Sequence, residues 1–245
     1  MFEIAGLFLD DRSEAHLEAV SSLSQYLDGL LGEDLNENAL FAMQKQTYDI
    51  HAIGVNSLER AVMTERSFDC KGGCDSCCHA TDVGLTPSEL FYLANHIASE
   101  GLHQKGGKHS APPRDNEMAA CPLLEEGWCT VYEARPMSCR YILSTDVASC
   151  LKRRETLIGG AKLPPPFSHF RSSIAAAQFV MFRKRSLDAR WLTLDHSIQH
   201  ALDNPTLIND WLSGKEFSDL THKLEKPNGN FGALVDSAEQ HWSDA

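Results

Sequence analysis

All eight cysteines of this 245-residue chain lie between Cys70 and Cys150, and none lies outside that window. The first four are spaced C-x3-C-x2-C-C (Cys70, Cys74, Cys77, Cys78); after 42 residues come Cys121, Cys129, Cys139 and Cys150. Deprotonated thiols are soft ligands, and in groups they select zinc, copper(I) or iron–sulfur clusters over hard ions. Eight of them divide naturally into two four-thiolate centres. The second quartet is too widely spaced to close a metal site by itself. It must fold back around the first, which makes metal binding and folding mutually dependent. Side chains of adjacent residues diverge, so Cys77 and Cys78 can serve different centres.

A disulfide ladder would use the same residues in another way. Such frameworks belong to small exported scaffolds, and this chain is not small. Its first residues, Met1-Phe2-Glu3-Ile4, lack the basic start and long apolar run of a signal peptide. No stretch approaches the roughly 18–20 apolar residues of a membrane span. The expectation is a cytoplasmic protein with reduced thiols and no membrane partner.

Formal net charge is −12, and thiolates would add to it. Such a chain repels phosphate backbones, so nucleic acid is not an expected partner. Basic residues near the cysteines (Lys71, Arg135, Arg140, Lys152, Arg153, Arg154) are placed to offset local thiolate charge or to form a solvated face. Arg135 and Arg140 are candidates for hydrogen bonds to sulfur from outside the ligand set, as is His79 beside Cys78. Trp128 and Tyr132 flank Cys129 and are expected to shield a centre from water.

The periodicity predicts a mainly α protein with a small, irregular α+β, cysteine-rich metal-binding core. Three segments follow: helical 1–66, cysteine-bearing 67–158 and helical 159–245. An amphipathic helix is expected over 11–32, with Asp11 and Glu14 at capping-box spacing. A second should run from Asp34 to about Thr64, with a bend at Gly54. Cys70 to Cys78 reads as a Gly-rich loop, and Val83-Gly84-Leu85 as a short extended piece. Thr86-Pro87-Ser88-Glu89 is a strong helix start, with its stripe at Leu90, Leu93, Ala94 and Ile97 and Gly101 as its end. Residues 103–119 read as an exposed loop. Two short strands are expected around Leu123 and Trp128, and a short helix at Pro136. After Gly159-Gly160 and the prolines at 164–166 the pattern is helical. One stripe is Phe170, Ile174, Ala177 and Met181; another is Leu187, Trp191, Leu194, Ile198 and Leu202. The tail from Pro227 reads as frayed.

The spacing leaves the metal open between zinc and an iron–sulfur cluster. Cys74-x2-Cys77 resembles a zinc knuckle, but a second C-x2-C is missing. Thiols in a Gly-rich loop and the pair Cys121-Pro122 favour iron–sulfur. Cys70-x3-Cys74-x2-Cys77 also has radical-SAM spacing, yet the chain lacks the strand–helix alternation that a partial barrel needs. His196 and His200 are spaced to chelate from one helix face, but that face lies opposite the Leu194–Ile198–Leu202 stripe.

Taken together, Cys70-x3-Cys74-x2-Cys77-Cys78, Val83-Gly84-Leu85-Thr86-x2-Glu89, Cys121-Pro122-Leu123 and Cys129-x2-Tyr132-x2-Arg135-Pro136-x2-Cys139-Arg140 resemble the cysteine-cluster family of the CxxCxxCC type, a zinc- or iron-chelating domain. The resemblance covers roughly residues 70–150 and all eight family cysteines. It implies a metal or iron–sulfur centre held by Cys70, Cys74, Cys77, Cys78, Cys121, Cys129, Cys139 and Cys150. The family is also similar to flagellin lysine N-methylases, which implies an enzymatic alternative, an oxidoreductase or a protein-lysine methylase. A third alternative is a zinc-stabilised interaction module with a protein partner. The leading expectation is a metal-binding protein whose metal ions serve structure, redox chemistry or metal handling.

Overall fold

In the computed structural model, residues 4–8, 12–63, 68–79, 83–102, 120–156, 160–217, 220 and 229–244 are described. Helix α1 (Glu14–Leu31) starts at Ser13, whose hydroxyl accepts the His16 N–H at 3.4 Å. Hydroxyl side chains are favoured there because they satisfy an amide left free by the first turn. The expected Asp11–Glu14 cap is replaced by this one, and Asp11 lies outside the described residues. Helix α2 (Glu37–Val62) starts in the same way, with Asn36 accepting the Ala39 N–H at 3.1 Å. It runs unbroken through Gly54. That glycine is a packing notch rather than a bend: a Cβ there would fall 1.9 Å from the Phe170 ring tip.

Helix α3 (Pro87–Ser99) has the expected cap, with both halves of the Thr86–Glu89 capping box formed. Leu90, Leu93 and Ile97 are buried, Ala94 is half-buried, and Gly101 (φ +63°) follows the helix. Further along the chain come the short helices α4 (Met137–Tyr141) and α5 (Val147–Thr156), then α6 (Pro165–Lys184). Proline opens α6, where the lost N–H would be unpaired anyway. Every residue of α6 from Ser173 to Phe182 is buried. A helix covered on all sides is the centre of its bundle, and α6 packs against α1, α2 and a terminal helix, α9 (Gly229–Asp244).

That terminal helix corrects the frayed tail: Leu234, Val235 and Ala238 are buried, and α9 packs against both α1 and α6. The second C-terminal stripe is corrected too. Only its later part is helical, as α7 (Leu194–Asp203), followed by α8 (Leu207–Leu212). Leu187–Trp191 is irregular because long-range bonds hold it: the Asp188 carbonyl accepts the Trp211 indole N–H, and its carboxylate accepts the Phe217 N–H, both at 2.9 Å.

Among the described residues, four two-residue strands make two small antiparallel sheets. β1 (Gly84–Leu85) pairs with β4 (Leu192–Thr193), Gly84 opposite Thr193. β2 (Leu124–Glu125) and β3 (Trp128–Cys129) form a hairpin with Leu124 opposite Cys129. Its two turn residues, Glu126 (φ +49°) and Gly127 (φ +82°), both have positive φ, which matches the twist of a tight hairpin. The protein is therefore mainly α with a small α+β part. The loop expected at 103–119 lies outside the described residues, and no helix among those described is long and apolar enough to cross a membrane.

Candidate metal centre

The cysteine-bearing stretch is built from turns held by backbone hydrogen bonds. After Cys70, the Gly72–Gly73 turn brings the Cys74 N–H to the Lys71 carbonyl at 3.0 Å. Gly73 has φ +82°, which a residue with a Cβ would resist. A 3-10 turn, Ser76–His79, then carries Cys77 and Cys78. His79 Nε2 lies 3.4 Å from Asp75 Oδ2, so this histidine is oriented by a carboxylate one turn back.

The second quartet does fold back on the first. The Cys121 N–H donates to the Cys78 carbonyl at 2.7 Å, and Cys129 faces Leu124 in the hairpin just beyond. Cys139 sits in α4 and Cys150 in α5, which packs against the Ser76–His79 turn. At the other edge Ser144 joins the two halves. Its N–H donates to Cys70 Sγ at 3.2 Å, and its carbonyl accepts the Asp69 N–H at 2.8 Å. Its fully buried hydroxyl accepts the N–H groups of Asp146 (3.1 Å) and Lys162 (3.0 Å).

All eight cysteines are free; Cys74 is exposed and the others are half-buried. Their mutual electrostatics divide them into two overlapping neighbourhoods. Burial raises the Cys70 thiol, the Ser144 N–H opposes this, and the nearby thiols of Cys74, Cys150 and Cys77 raise it further. Burial also pushes Cys139 well up, helped by Cys121, Cys77 and Cys129. Cys77 and Cys78 share a hydrogen bond. It lowers Cys77 to about 7, with help from the Arg135 charge, and raises Cys78, whose other thiol neighbours are Cys121 and Cys139. Cys129 is raised by burial and by Cys77, against the Val131 N–H and Arg135. Thiols crowded in this way resist ionising together, and a bound cation would relieve that repulsion.

This donor set suits a thiophilic metal in its chemistry. It is not a closed cage: among the described residues no three cysteine, histidine, aspartate or glutamate side chains are grouped so that they could hold one ion.

Several expectations around the thiols change. Trp128 and Tyr132 are 64% and 55% exposed, so they do not shield the cysteines. Arg140 donates to the carbonyls of Arg135 (2.9 Å) and Glu133 rather than to sulfur, with its guanidinium 4.0 Å from the Tyr48 ring centre. Arg135 lies 3.7 Å from the centre of the Tyr132 ring and acts on Cys77 and Cys129 through its charge. The side chain of Arg154 lies outside those described. His196 and His200 are half-buried on α7.

Sequence reasoning missed Ser144, Ser138, Arg171 and the second contact of Glu89. Glu89 Oε1 accepts the Met137 N–H at 2.5 Å, 48 residues away. Ser138 donates to the Gly84 carbonyl and accepts from Arg171 at 2.7 Å. Only Glu89 carried a local signal, as the N3 residue of a capping box, and that signal said nothing of its longer reach.

Residues 69–156 match the CxxCxxCC family model, whose description is "Putative zinc- or iron-chelating domain". No curated protein and no solved structure matches the chain.

Proposed function

We propose that the protein binds metal through its eight cysteines, as an iron–sulfur cluster or as zinc, and that Cys70, Cys74, Cys77, Cys78, Cys121, Cys129, Cys139 and Cys150 supply the ligands. The observation that carries this reading is the return of the second quartet onto the first, with free thiols close enough to shift one another's ionisation. The match of residues 69–156 to a chelating domain supports the metal-binding part. Iron–sulfur is the preferred form because the first quartet lies in a Gly-rich loop and Cys121 precedes Pro122. A reducing compartment such as the cytoplasm would keep the thiols available. The bound group would then serve structure, electron transfer or metal handling. Arg135, through its charge, and His79, held by Asp75, lie beside the ligands as groups that tune them.

Anaerobic purification followed by metal analysis and visible absorption tests the reading. A brown protein with iron and inorganic sulfide supports the cluster, and a colourless one with stoichiometric zinc supports the zinc form. Cys139→Ser should lower the bound metal in either case. Protein that holds neither metal, and takes up neither after reduction, overturns the proposal.

A further inference from the structure

Glu89 makes contacts that a capping glutamate does not need. In an ordinary capping box the N3 side chain reaches back to one backbone N–H, usually at the surface. Glu89 is 1% exposed. Its Oε2 accepts the Thr86 N–H at 2.8 Å, which completes the cap of α3. Its Oε1 accepts the N–H of Met137, the first residue of α4. The residue before α4 is Pro136, which has no side-chain oxygen and provides no cap of its own. The free amide at that helix start is therefore satisfied across the fold by Glu89. One carboxylate caps two helices whose sequences are far apart.

Helix α4 carries Cys139 two residues after Met137. Its next residue, Ser138, is fixed from two further sides, by the Gly84 carbonyl of β1 and the Arg171 guanidinium of α6. A carboxylate that is 1% exposed thus serves the helix that carries Cys139. A neutral side chain of the same shape would do this poorly. A carboxamide has one oxygen for two N–H groups, and its own N–H2 would face the other donor.

We propose that Glu89 is a positioning residue for the thiol cluster, fixing Cys139 against the helical framework by capping α3 and α4 together. The proposal rests on the metal-binding reading only for its effect on affinity. Its effect on the metal-free protein is independent of that reading.

The test pairs two measurements on reduced full-length chain: zinc affinity by competition with a chromophoric chelator, and alkylation rates of individual cysteines in metal-free protein. Glu89→Gln should weaken zinc binding about ten-fold or more, as loss of a ligand's supporting partner typically does. It should also speed alkylation of Cys139 while leaving Cys70, held by Ser144 at the opposite edge, at its wild-type rate. Leu23→Ala, a cavity variant at a fully buried position of α1, controls for general loss of stability and should keep wild-type zinc affinity. Where Glu89→Gln does not fold, Glu89→Asp decides, because it keeps the charge but falls one methylene short of Met137. Unchanged zinc affinity and unchanged Cys139 alkylation in the folded variant would overturn the proposal, as would equal weakening by Leu23→Ala. Wild-type protein that takes up no zinc counts against zinc binding by the thiols. Cys139 alkylation then decides the role of Glu89.

Discussion

From Ser173 to Phe182 every residue of α6 is buried, whereas from Phe68 to His79 not one is. The first stretch lies at the centre of a bundle in which α1, α2 and α9 close over apolar side chains. Burying such side chains yields about 1.5–3 kcal/mol each. The second stretch draws little from that source, chiefly through Phe68, whose ring meets the buried Phe167 edge-on at 5.3 Å between centroids. It is held by backbone bonds, such as Cys121 to Cys78 and Asp69 to Ser144, each with a net worth of about 1 kcal/mol. The framework therefore draws its stability from apolar burial, while the thiol loop is set by its attachments and, on the proposed reading, by the metal its sulfurs would hold. Metal bound by a loop of this kind contributes directly to its folding.

The largest effect expected from breaking this contrast lies in the framework. Phe170 is fully buried, fills the notch left by Gly54, and meets the edge of Phe8 at 4.9 Å between ring centroids. Phe170→Ala should cost about 3–5 kcal/mol in urea denaturation. Metal bound per folded molecule should stay the same. A loss below about 1 kcal/mol, or a parallel fall in metal content, would show that the two regions do not draw on separate sources.

Sequence pattern exposed the framework better than the site. The start of α3 was legible because Thr86, Pro87 and Glu89 each have a local reason to stand where they do. The stripe Phe170, Ile174, Ala177 and Met181 was legible because one period runs through it, and all four are buried. Leu187 to Trp191 kept that period yet is not helical, since Trp211 and Phe217 compete for Asp188 from more than 20 residues away. No local pattern encodes such bonds. The same holds at the cysteines. Their types and spacing marked the region, but Ser144 and the reach of Glu89 to Met137 depend on the tertiary fold. Trp128 misled because an aromatic beside a cysteine looks like a shield in one dimension.

A smaller effect sharpens the contrast from the side of charge. His51 lies in α2, stacked on Phe170 with ring centroids 6.0 Å apart. Burial lowers its pKa from 6.5 to about 4, and the charges of Arg140, Arg171 and Arg135 push the same way. The unfolded chain therefore takes up a proton before the folded one does. Stability from this histidine is intact above pH 6.5 and falls as pH drops toward 4, by about 2 kcal/mol at pH 5. Glu89, raised by burial, works in the opposite direction. The difference between wild type and His51→Phe isolates the histidine. His51→Phe should flatten the acid side of the stability profile, and an unchanged slope would remove His51 as its source.

The smallest effect is expected where side-chain size alone would suggest a large one. Trp128 lies at the hairpin end of β3 with more than half its surface in water, its ring edge near Gly73, where a Cβ would meet it at 3.5 Å. A tryptophan in a core would cost about 3–5 kcal/mol on truncation, but little of this ring is withdrawn from solvent. Trp128→Ala should change global stability by no more than about 0.5 kcal/mol, as surface substitutions do. A large loss in thermal or urea denaturation would mean that the thiol stretch has an apolar core of its own around this ring, and the contrast with α6 would fail. A negligible loss leaves the hairpin held by its pairing with Leu124 and by the Cys121–Cys78 bond behind it. Order at the cysteines would then come from backbone contacts and bound metal rather than from hydrophobic packing.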